Sequence, residues 1–436
     1  MIRRGRSVVA GLAALSLVLA ACGDDDEPAA EEPAEESAEE PAEEPAEAPA
    51  EEPAEEPAEA PAEEPAEEPA EEPAEEAAEE PAEEAAGDGG SIWVLLPDTA
   101  TSDRWEKDDR RFFGESFTEA GLTEGEDFTI VNAEGDAQVQ ISQAEQAIGD
   151  GASVIVLTSN DSGSGATIID LATEAGVQVV EYDRFNTEGS AGGAAYVSFD
   201  NVRVGATMAE VLEPAIDALD VETPQVVMLN GGEEDNNAFL FRAGYAETVE
   251  ERVAAGDWAL VEDTFVPGWD NAEALGIMEQ ILVGAENAVD AVFAANDGLA
   301  SSVIAALENA GIDPTTVPVS GQDATQAGIQ NVLLGKQTMS VYKPIALQAA
   351  VGAEVALALR AGEDVTSLSG DFSIIGIDGE GQPTESPDGA VPYIALTPIG
   401  VTADNVAETV IADGFRTVEE LCTGDVAETT FCQENG

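Results

Sequence analysis

A long acidic stretch rich in proline separates a short leader from the remainder of the chain. From Asp24 to Asp88 there are 31 acidic residues and no basic one, and proline recurs mostly at every fourth position in a Pro-Ala-Glu-Glu pattern. Proline interrupts helices, the carboxylates repel one another, and almost no side chain larger than alanine is available for a core. We therefore expect a disordered, extended spacer, which leaves residues 91–436 to form the folded part. At about 3.1 Å per residue, roughly 60 such residues reach at most about 190 Å.

The leader has three arginines within its first six residues, followed by an apolar run from Val8 to Ala21. This run is too short to span a bilayer comfortably and ends in small residues, as a cleaved signal peptide does. Its Leu-Ala-Ala-Cys ending resembles a bacterial lipobox, which implies that Cys22 is acylated and becomes the first mature residue. The alternative is an ordinary signal peptide followed by a chance cysteine. We expect a signal peptide at 1–21 and a lipid-anchored cysteine with its tether at 22–90, outside the cytoplasm.

The charge of the folded part limits its partners. Residues 91–436 contain 12 basic and 60 acidic residues, a formal charge of −48, and the whole chain carries −76. Such a surface repels nucleic acid and anionic membranes, so we expect no nucleic-acid partner and attachment to the membrane only through the lipid on Cys22. We interpret the charge as solvating, in preference to a cation-binding role.

Histidine and cysteine usage narrows the chemistry further. The chain has no histidine, which excludes histidine-based catalytic triads and most zinc sites. Besides Cys22 there are Cys422 and Cys432 near the C-terminus, without a Cys-x-x-Cys pattern. In an oxidising compartment we expect a disulfide between them, with two free thiols as the alternative. We expect no metal, no cofactor and no catalytic residue.

Hydrophobic patterning in residues 91–436 alternates between strand and helix. Amphipathic segments such as Gln138 to Ile148 separate the strands, and the alternation predicts parallel sheets with helices on both faces. The predicted strands are Ser91 to Leu96, Phe128 to Val131, Val154 to Thr158, Val177 to Tyr182, Gln225 to Leu229, Ala291 to Ala294 and Val317 to Ser320.

Polar residues follow several of these strands directly. In open α/β sheets, ligands bind at the carboxyl ends of the strands, so these groups are expected to face one crevice. Any one of them could instead cap a helix. The polar strand ends are Pro97-Asp98, Ser159-Asn160-Asp161, Asp183-Arg184, Asn230-Gly231-Gly232, Asn296-Asp297 and Gln322-Asp323.

An ordered set of short segments across residues 91–415 resembles the sugar-binding family of periplasmic binding proteins, and within it the xylose-binding members of ABC transporters. Each segment is a weak signal, but together and in this order they are specific. The segments are Asp103 to Asp108, Tyr182 to Arg184, Ser198 to Asn201, Asp235 to Ala238, Phe241 to Gly244, Gly268-Trp269, Asn296-Asp297, Gly321 to Ala324 and Thr338 to Pro344.

The resemblance implies an α/β fold of two doubly wound parallel-sheet lobes joined by a three-strand hinge, the periplasmic binding protein type 1 architecture. We expect an N-terminal lobe from 91–202 plus about 324–366. The C-terminal lobe is then 203–323 plus about 367–415, and a tail at 416–436 carries the disulfide.

The resemblance also implies a monosaccharide in the cleft between the lobes, which agrees with the residue chemistry. A pyranose has apolar C–H faces and a rim of hydroxyls, which suit aromatic planes and charged or amide groups respectively. Trp105 and Trp269 resemble the two stacking faces, although either could be an ordinary core residue. The resemblance assigns to the rim Lys107, Arg184, Asn237, Asn296, Asp323 and Lys343, with Asp183 and Asp235 as neighbours that could instead cap helices.

The expected function is delivery of the sugar to an ABC permease by a monomeric, lipid-anchored receptor, with no chemical conversion. D-Xylose is the first choice, while glucose, arabinose, galactose and ribose would use similar groups. A sensor that presents sugar to a membrane chemoreceptor fits equally well and differs only in its partner. A glycoside hydrolase would need two positioned carboxylates. A sugar-responsive repressor would need a basic DNA-binding helix, which a lipid signal and an acidic tether argue against.

Overall fold

The structure is a computed structural model that describes residues 89–99, 102–186, 193–363, 365, 384–385 and 391–436. The predicted signal peptide, Cys22 and nearly all of the tether lie outside these residues. The described strands are β1 (Ser91–Leu96), β2 (Phe128–Asn132), β3 (Ala152–Leu157), β4 (Gln178–Tyr182), β5 (Ala195–Phe199), β6 (Gln225–Asn230), β7 (Ala259–Phe265), β8 (Ala291–Ala294), β9 (Ser340–Tyr342), β10 (Thr384–Glu385), β11 (Pro392–Leu396) and β12 (Ile399–Val401).

Helices lie between most of these strands. A π-helical turn, Trp105–Asp109, leads into the first of them, and short 3₁₀ turns include Pro267–Trp269. The described α-helices are α1 (Arg110–Glu119), α2 (Ala137–Gly149), α3 (Ser162–Ala175), α4 (Asn201–Asp217), α5 (Asn236–Ala255), α6 (Asn271–Gly284), α7 (Asp297–Asn309), α8 (Gln326–Leu333), α9 (Ile345–Arg360), α10 (Val418–Leu421) and α11 (Thr430–Asn435).

The larger sheet has the strand order β10-β11-β5-β4-β3-β1-β2 and is parallel except for β10. Successive residues of β1 face opposite sides of it, as the two-residue period of a strand requires. Ile92 and Val94 join the core that includes Phe113 of α1, whereas Trp93 and Leu95 pack with α2 and α3. Helices therefore cover both faces, which is the doubly wound arrangement predicted from the sequence.

The smaller sheet is parallel, with the order β7-β6-β8, and helices α4 to α7 pack around it. The predicted strand at Val317 to Ser320 is reduced to bridging contacts with β8: Val292 donates to the Pro318 carbonyl at 2.9 Å, and Ser320 donates to the Val292 carbonyl at 3.1 Å. Pro318 has no N–H to contribute, which explains why the ladder stays short here.

Within the described residues, the chain crosses between the two sheets at three places: from β5 to α4, from β9 to α9, and from β11 to β12. Strands β9 and β12 pair with each other in antiparallel fashion at the crossing. These crossings form the three-segment hinge that the resemblance implies, with strand carboxyl ends of both sheets on either side of it.

Two of the lobe boundaries expected from the sequence are wrong. Helix α8, assigned to the N-terminal lobe, packs instead on α7 beside the smaller sheet, and β9 pairs with β12 at the crossing. Conversely, β11, assigned to the C-terminal lobe, pairs in parallel with β5 of the larger sheet. The Tyr393 ring stacks on Tyr196 at 4.6 Å between centroids and fixes this position. Glycine, proline and acidic residues between 370 and 392 give no clear strand pattern in the sequence before β11.

The C-terminal segment contains the predicted disulfide, with Cys422 and Cys432 bonded and their Cα atoms 5.6 Å apart. In the part of the chain that the structure describes, no helix combines the length and apolar character needed to cross a bilayer.

Candidate functional site

A cleft lies between the two sheets, where strand ends from both meet. It holds about 320 Å³ of space free of atoms, part of it open to solvent. The residues around it are Ser102, Arg104, Trp105, Asp183, Arg184, Asp235, Asn237, Phe241, Trp269, Asn296, Gln322, Asp323 and Lys343. The structure therefore brings together nine of the ten residues that the sequence proposed.

The two tryptophans come from opposite lobes. Trp105 begins the π-helical turn before α1, and Trp269 ends the 3₁₀ turn that follows β7. Trp269 has a positive φ of 54°, directly after Gly268 at 62°. A Cβ at Gly231 would lie 2.1 Å from the Trp269 ring, so only glycine allows the indole to occupy this place.

Both indoles have polar atoms without a partner. Their side chains are 3% and 5% exposed, and neither Nε1 has a hydrogen-bond partner among the described residues. A buried N–H group without a partner is costly, which points to an acceptor supplied by a ligand. The Arg104 guanidinium lies 4.1 Å from the Trp105 ring centroid, and Phe241 meets Trp269 edge-on at 6.3 Å.

Asp183 is the centre of the charge network. Its Oδ2 lies 3.0 Å from Arg104 Nη1 and 3.5 Å from Lys343 Nζ, and Gln348 donates to the same oxygen at 3.2 Å. Burial alone would raise the pKa of Asp183, but Lys343, Arg104 and Arg184 outweigh burial and hold this pKa well below its usual value. Asp183 therefore presents a fixed carboxylate to the cleft.

The opposite side of the cleft carries Asp323, which follows Gln322 at the hinge. Lys343 Nζ lies 3.2 Å from Asp323 Oδ1, and Ser102 Oγ donates to Oδ2 at 3.2 Å. Asp323 has a positive φ of 90°, as Asp183 has one of 63°. Strained backbone of this kind persists where the surrounding structure holds a side chain in a required direction. Lys343 thus bridges the two carboxylates.

A second ion pair closes the rim. Arg184 Nε lies 3.0 Å from Asp235 Oδ2, and its Nη1 donates to the carbonyls of Ser159 and Asn160 at 2.9 and 3.2 Å. Burial raises the pKa of Asp235, with Arg184 acting against this effect. Asp235 is also the cap of α5, since its Oδ1 accepts from the Asn237 amide at 2.9 Å.

Two amide side chains complete the rim. Asn237 Nδ2 donates to the Asp183 carbonyl at 3.0 Å, and Asn237 Oδ1 accepts from Asn201 at 2.8 Å. Asn296 caps α7 by accepting from the Leu299 amide at 2.8 Å, and it lines the cleft as well. For Asp235 and Asn296, helix capping and placement in the cleft are therefore not alternatives: each residue does both.

Lys107 does not reach the cleft, so its assignment to the rim is wrong. Its side chain is 64% exposed and pairs with Asp103 Oδ2 at 2.5 Å. Residues two apart in a helical turn point to different sides, so a turn that directs Trp105 inward directs Lys107 to solvent.

Four lining residues were missed: Ser102, Arg104, Phe241 and Gln322. Arg104 is fully buried, and its Nε and Nη2 bind the two oxygens of Asp109 at 2.9 and 3.0 Å. An arginine beside a site tryptophan in a charged segment was the signal available for it. For Gln322 the sequence indicates only its position at a strand end.

The charges of the cleft are matched internally. Arg104, Arg184 and Lys343 each contact at least one carboxylate of the network. Across residues 89–99, 102–186, 193–363 and 391–436, no cluster of acidic residues and cysteines has the geometry to hold a metal ion. The arrangement suits binding of a neutral, hydroxyl-rich molecule between two indoles.

Comparison with known proteins gives the same picture. Residues 93–364 match the model of a periplasmic binding protein domain. The chain is 34% identical over 324 residues to the D-xylose-binding periplasmic protein of Escherichia coli K12, covering 73% of this chain and 89% of that protein. It is 35% identical over 329 residues to the protein of the same name from Haemophilus influenzae, covering 75% and 91%.

Solved structures agree on the fold. A carbohydrate transporter solute-binding protein from Chloroflexus aurantiacus, in complex with D-glucose, matches with a TM-score of 0.65 and 24% identity over 76% of this chain and 97% of that one. An ABC transporter solute-binding protein from Clostridium phytofermentans, with bound β-D-glucose, matches with a TM-score of 0.65 and 25% identity over 76% of this chain and 99% of that one. These relatives are solute-binding proteins and not enzymes. The chain belongs to the periplasmic binding protein family.

Proposed function

We propose that this protein is an extracytoplasmic receptor of an ABC sugar importer that binds a monosaccharide, D-xylose first, between its two lobes. The observation that carries the proposal is the pair of buried indoles from opposite lobes, each with a free N–H, facing one rim of fixed polar groups. The relatives named for xylose support this sugar, whereas the solved neighbours hold glucose, so both belong in any test.

The sugar would favour the closed arrangement of the lobes. Trp105, Asp183 and Arg184 belong to one side of the cleft, and Trp269 and Asn296 belong to the other. Only when the sides approach can one pyranose contact both, so ligand binding stabilises closure. The closed form is then the shape offered to the permease.

The matched charges favour a neutral ligand. A sugar acid would bring a carboxylate beside Asp183 and Asp323 without finding an uncommitted cation among the residues around the cleft. Neutral hydroxyls, by contrast, can accept from the cations and donate to the carboxylates at once.

Calorimetric titration with xylose, glucose, arabinose, galactose and ribose tests the ligand class. We expect one or two of these sugars to bind at micromolar Kd or tighter, about −8 kcal/mol. The expected affinity drops at least about tenfold in Trp105→Ala and in Trp269→Ala. Trp258→Ala is the matched control, because Trp258 is equally buried, at 2% exposure, but lies away from the cleft. No binding to any of the five sugars would refute the proposal.

We further propose that Cys22 carries the lipid that retains the receptor at the membrane, with residues 24–88 as its spacer. The support is the lipobox-like ending of the leader and the composition of the spacer. Labelled fatty acid should enter the wild-type protein and be absent from Cys22→Ser, which should be released from the membrane. Retention of Cys22→Ser in the membrane fraction would contradict this anchor.

A further inference from the structure

The C-terminal segment from Phe415 to Gly436 has no role in the proposed function so far, yet it is well anchored. Its Leu421 packs into a small core with Ala324, Ile329 and Tyr342 beside the hinge. Side-chain amides of α8 hold its backbone: Gln326 Nε2 donates to the Glu420 carbonyl at 2.7 Å, and a second glutamine donates to the Leu421 carbonyl at 3.0 Å. The disulfide then closes the remainder of the segment.

Arg416 of this segment makes the contacts that matter for the cleft. Its two terminal nitrogens bind the two oxygens of Asp108 at 3.1 and 3.2 Å, and its Nε donates to the Ala324 carbonyl at 3.0 Å. The guanidinium also lies 3.8 Å from the Phe415 ring centroid. Arg416 and Asp108 are 7% and 3% exposed. A bidentate, buried arginine–carboxylate pair fixes orientation as well as distance.

Both partners of Arg416 belong to segments that carry site residues. Asp108 lies three residues after Trp105 in the same π-helical turn, and Ala324 directly follows Asp323. Asp323 and Ala324 have positive φ values of 90° and 47°, and Ala324 is not a residue that adopts this region readily. Arg416 thus contacts two segments that reach the cleft from different parts of the chain: the strained turn of Asp323 and the turn that carries Trp105.

We infer that Arg416 is a positioning residue of the sugar site, which holds the Trp105 turn and the Asp323 turn in register from behind. This inference rests on the proposed function. Arg416 does not line the cleft, so any effect on affinity must pass through those two turns. Side chains that bind a ligand must be held to within a fraction of an ångström by supporting contacts. A residue that contacts the segments of two such side chains couples their positions. Arg111, 3.6 Å from Asp108, is the neighbouring cation that could partly replace it.

The test compares Arg416→Gln, Asp108→Asn and the double variant of the mature protein, with xylose and the tightest-binding sugar of the panel as probes. We expect each single variant to bind about tenfold more weakly. The double variant should bind no more weakly than Arg416→Gln, because Arg416→Gln already removes the ion pair that Asp108→Asn removes. Arg416→Lys keeps the charge but cannot serve both partners, and it should fall between wild type and Arg416→Gln.

Arg252→Gln is the matched control. Arg252 is also an ion-paired arginine beside an aromatic ring, 5.1 Å from the Trp258 centroid, but it lies at the end of α5 away from the cleft. Melting temperature is measured on every variant, and affinity is measured well below it. A purely structural role would lower the melting temperature of Arg416→Gln and leave its Kd unchanged, and this result would overturn the inference.

The outcomes separate the two proposals. If wild type binds no sugar, the proposed function fails. If wild type binds and the Arg416 and Asp108 variants bind equally well, the proposed function stands and the positioning role fails. Should Arg416→Gln not fold, Arg416→Lys and Asp108→Asn decide, since each alters the pair while retaining part of its packing.

Discussion

Asp297 offers a prediction whose sign can be worked out from the structure. Its buried carboxylate follows Asn296 at the start of α7 and accepts four hydrogen bonds. Oδ1 accepts from Gln337 and Ser340, both at 2.8 Å, and Oδ2 accepts from the Thr325 amide and hydroxyl at 2.9 and 3.1 Å. Burial nevertheless raises the pKa of Asp297 to about 7, against these hydrogen bonds and with a contribution from Asp323.

A pKa raised in the folded state makes stability depend on pH in a defined direction. The folded protein favours the protonated carboxyl, so this contribution to stability is complete below the ordinary pKa of 3.8 and is lost as pH rises to about 7. The difference between a pKa of 3.8 and one of about 7 corresponds to about 4 kcal/mol in all. Between pH 5 and pH 8.5 the loss is about 3 kcal/mol, since part of it has already occurred at pH 5.

Asp297→Asn removes the titration and also one acceptor. In either orientation its amide nitrogen faces a donor, Gln337 or the Thr325 amide, so we expect the variant to lose about 1–3 kcal/mol at all pH values. Relative to wild type, its free energy of unfolding should then improve by about 3 kcal/mol from pH 5 to pH 8.5. The two stabilities should therefore approach or cross.

Urea unfolding of both proteins at pH 5, 6, 7, 8 and 8.5 measures this difference and stays clear of the isoelectric point near 4.1. Asp313→Asn is the control: Asp313 is a helix-capping carboxylate in an exposed turn with a lowered pKa, so its difference from wild type should not change across this range. A constant difference for Asp297→Asn would show that its four hydrogen bonds keep the carboxylate ionised throughout, and would refute the reasoning.

Three further predictions follow from the site and the tail. Lys343→Met should weaken sugar binding more than about 30-fold, because it removes one of the two cations that contact both Asp183 and Asp323 and leaves Arg104 alone with them. Lys107→Met should leave Kd unchanged in the same titration, and an equal loss in both variants would contradict the geometry. Xylonate and glucuronate should bind at least about tenfold more weakly than xylose and glucose in competition titrations, and equal binding would show that the cleft has a place for a carboxylate. Replacing Cys422 and Cys432 by serine should lower the free energy of unfolding, measured in urea, by about 3 kcal/mol, because the bond closes a loop of sequence separation 10. No change would show that the bonded segment does not unfold together with the rest of the protein.

Part of the site was accessible from strand ends alone, whereas Trp105, Trp269 and Lys343 were proposed from the resemblance to sugar-binding proteins. Asp183, Asn296 and Asp323 each follow an apolar run, and the parallel topology brings such ends to one cleft without any need to know side-chain contacts. The larger sheet was predictable because strands such as β1 and β3 are continuous, mostly apolar runs with turn-forming or polar residues at their ends.

What the sequence did not reveal depends on local direction and on contacts between distant segments. The assignment of Lys107 to the rim was wrong because its helical turn directs the side chain to solvent. The pattern of residues in the sequence does not show this direction. For Arg104 the sequence offered only its position beside Trp105, and its burial follows from ion pairs with Asp109 and Asp183 that the sequence does not reveal. The course of β11 could not be placed, since its pairing with β5 comes from nearly 200 residues away in the chain.

The central claim is that one neutral monosaccharide lies between Trp105 and Trp269. The most direct measurement is a crystal structure of the protein with the sugar that binds most tightly in the calorimetric panel. The account predicts a pyranose in contact with both indoles, with its hydroxyls hydrogen-bonded to Asp183, Arg184 and Asn296. A sugar bound elsewhere, with the two indoles facing each other across an empty cleft, would contradict it.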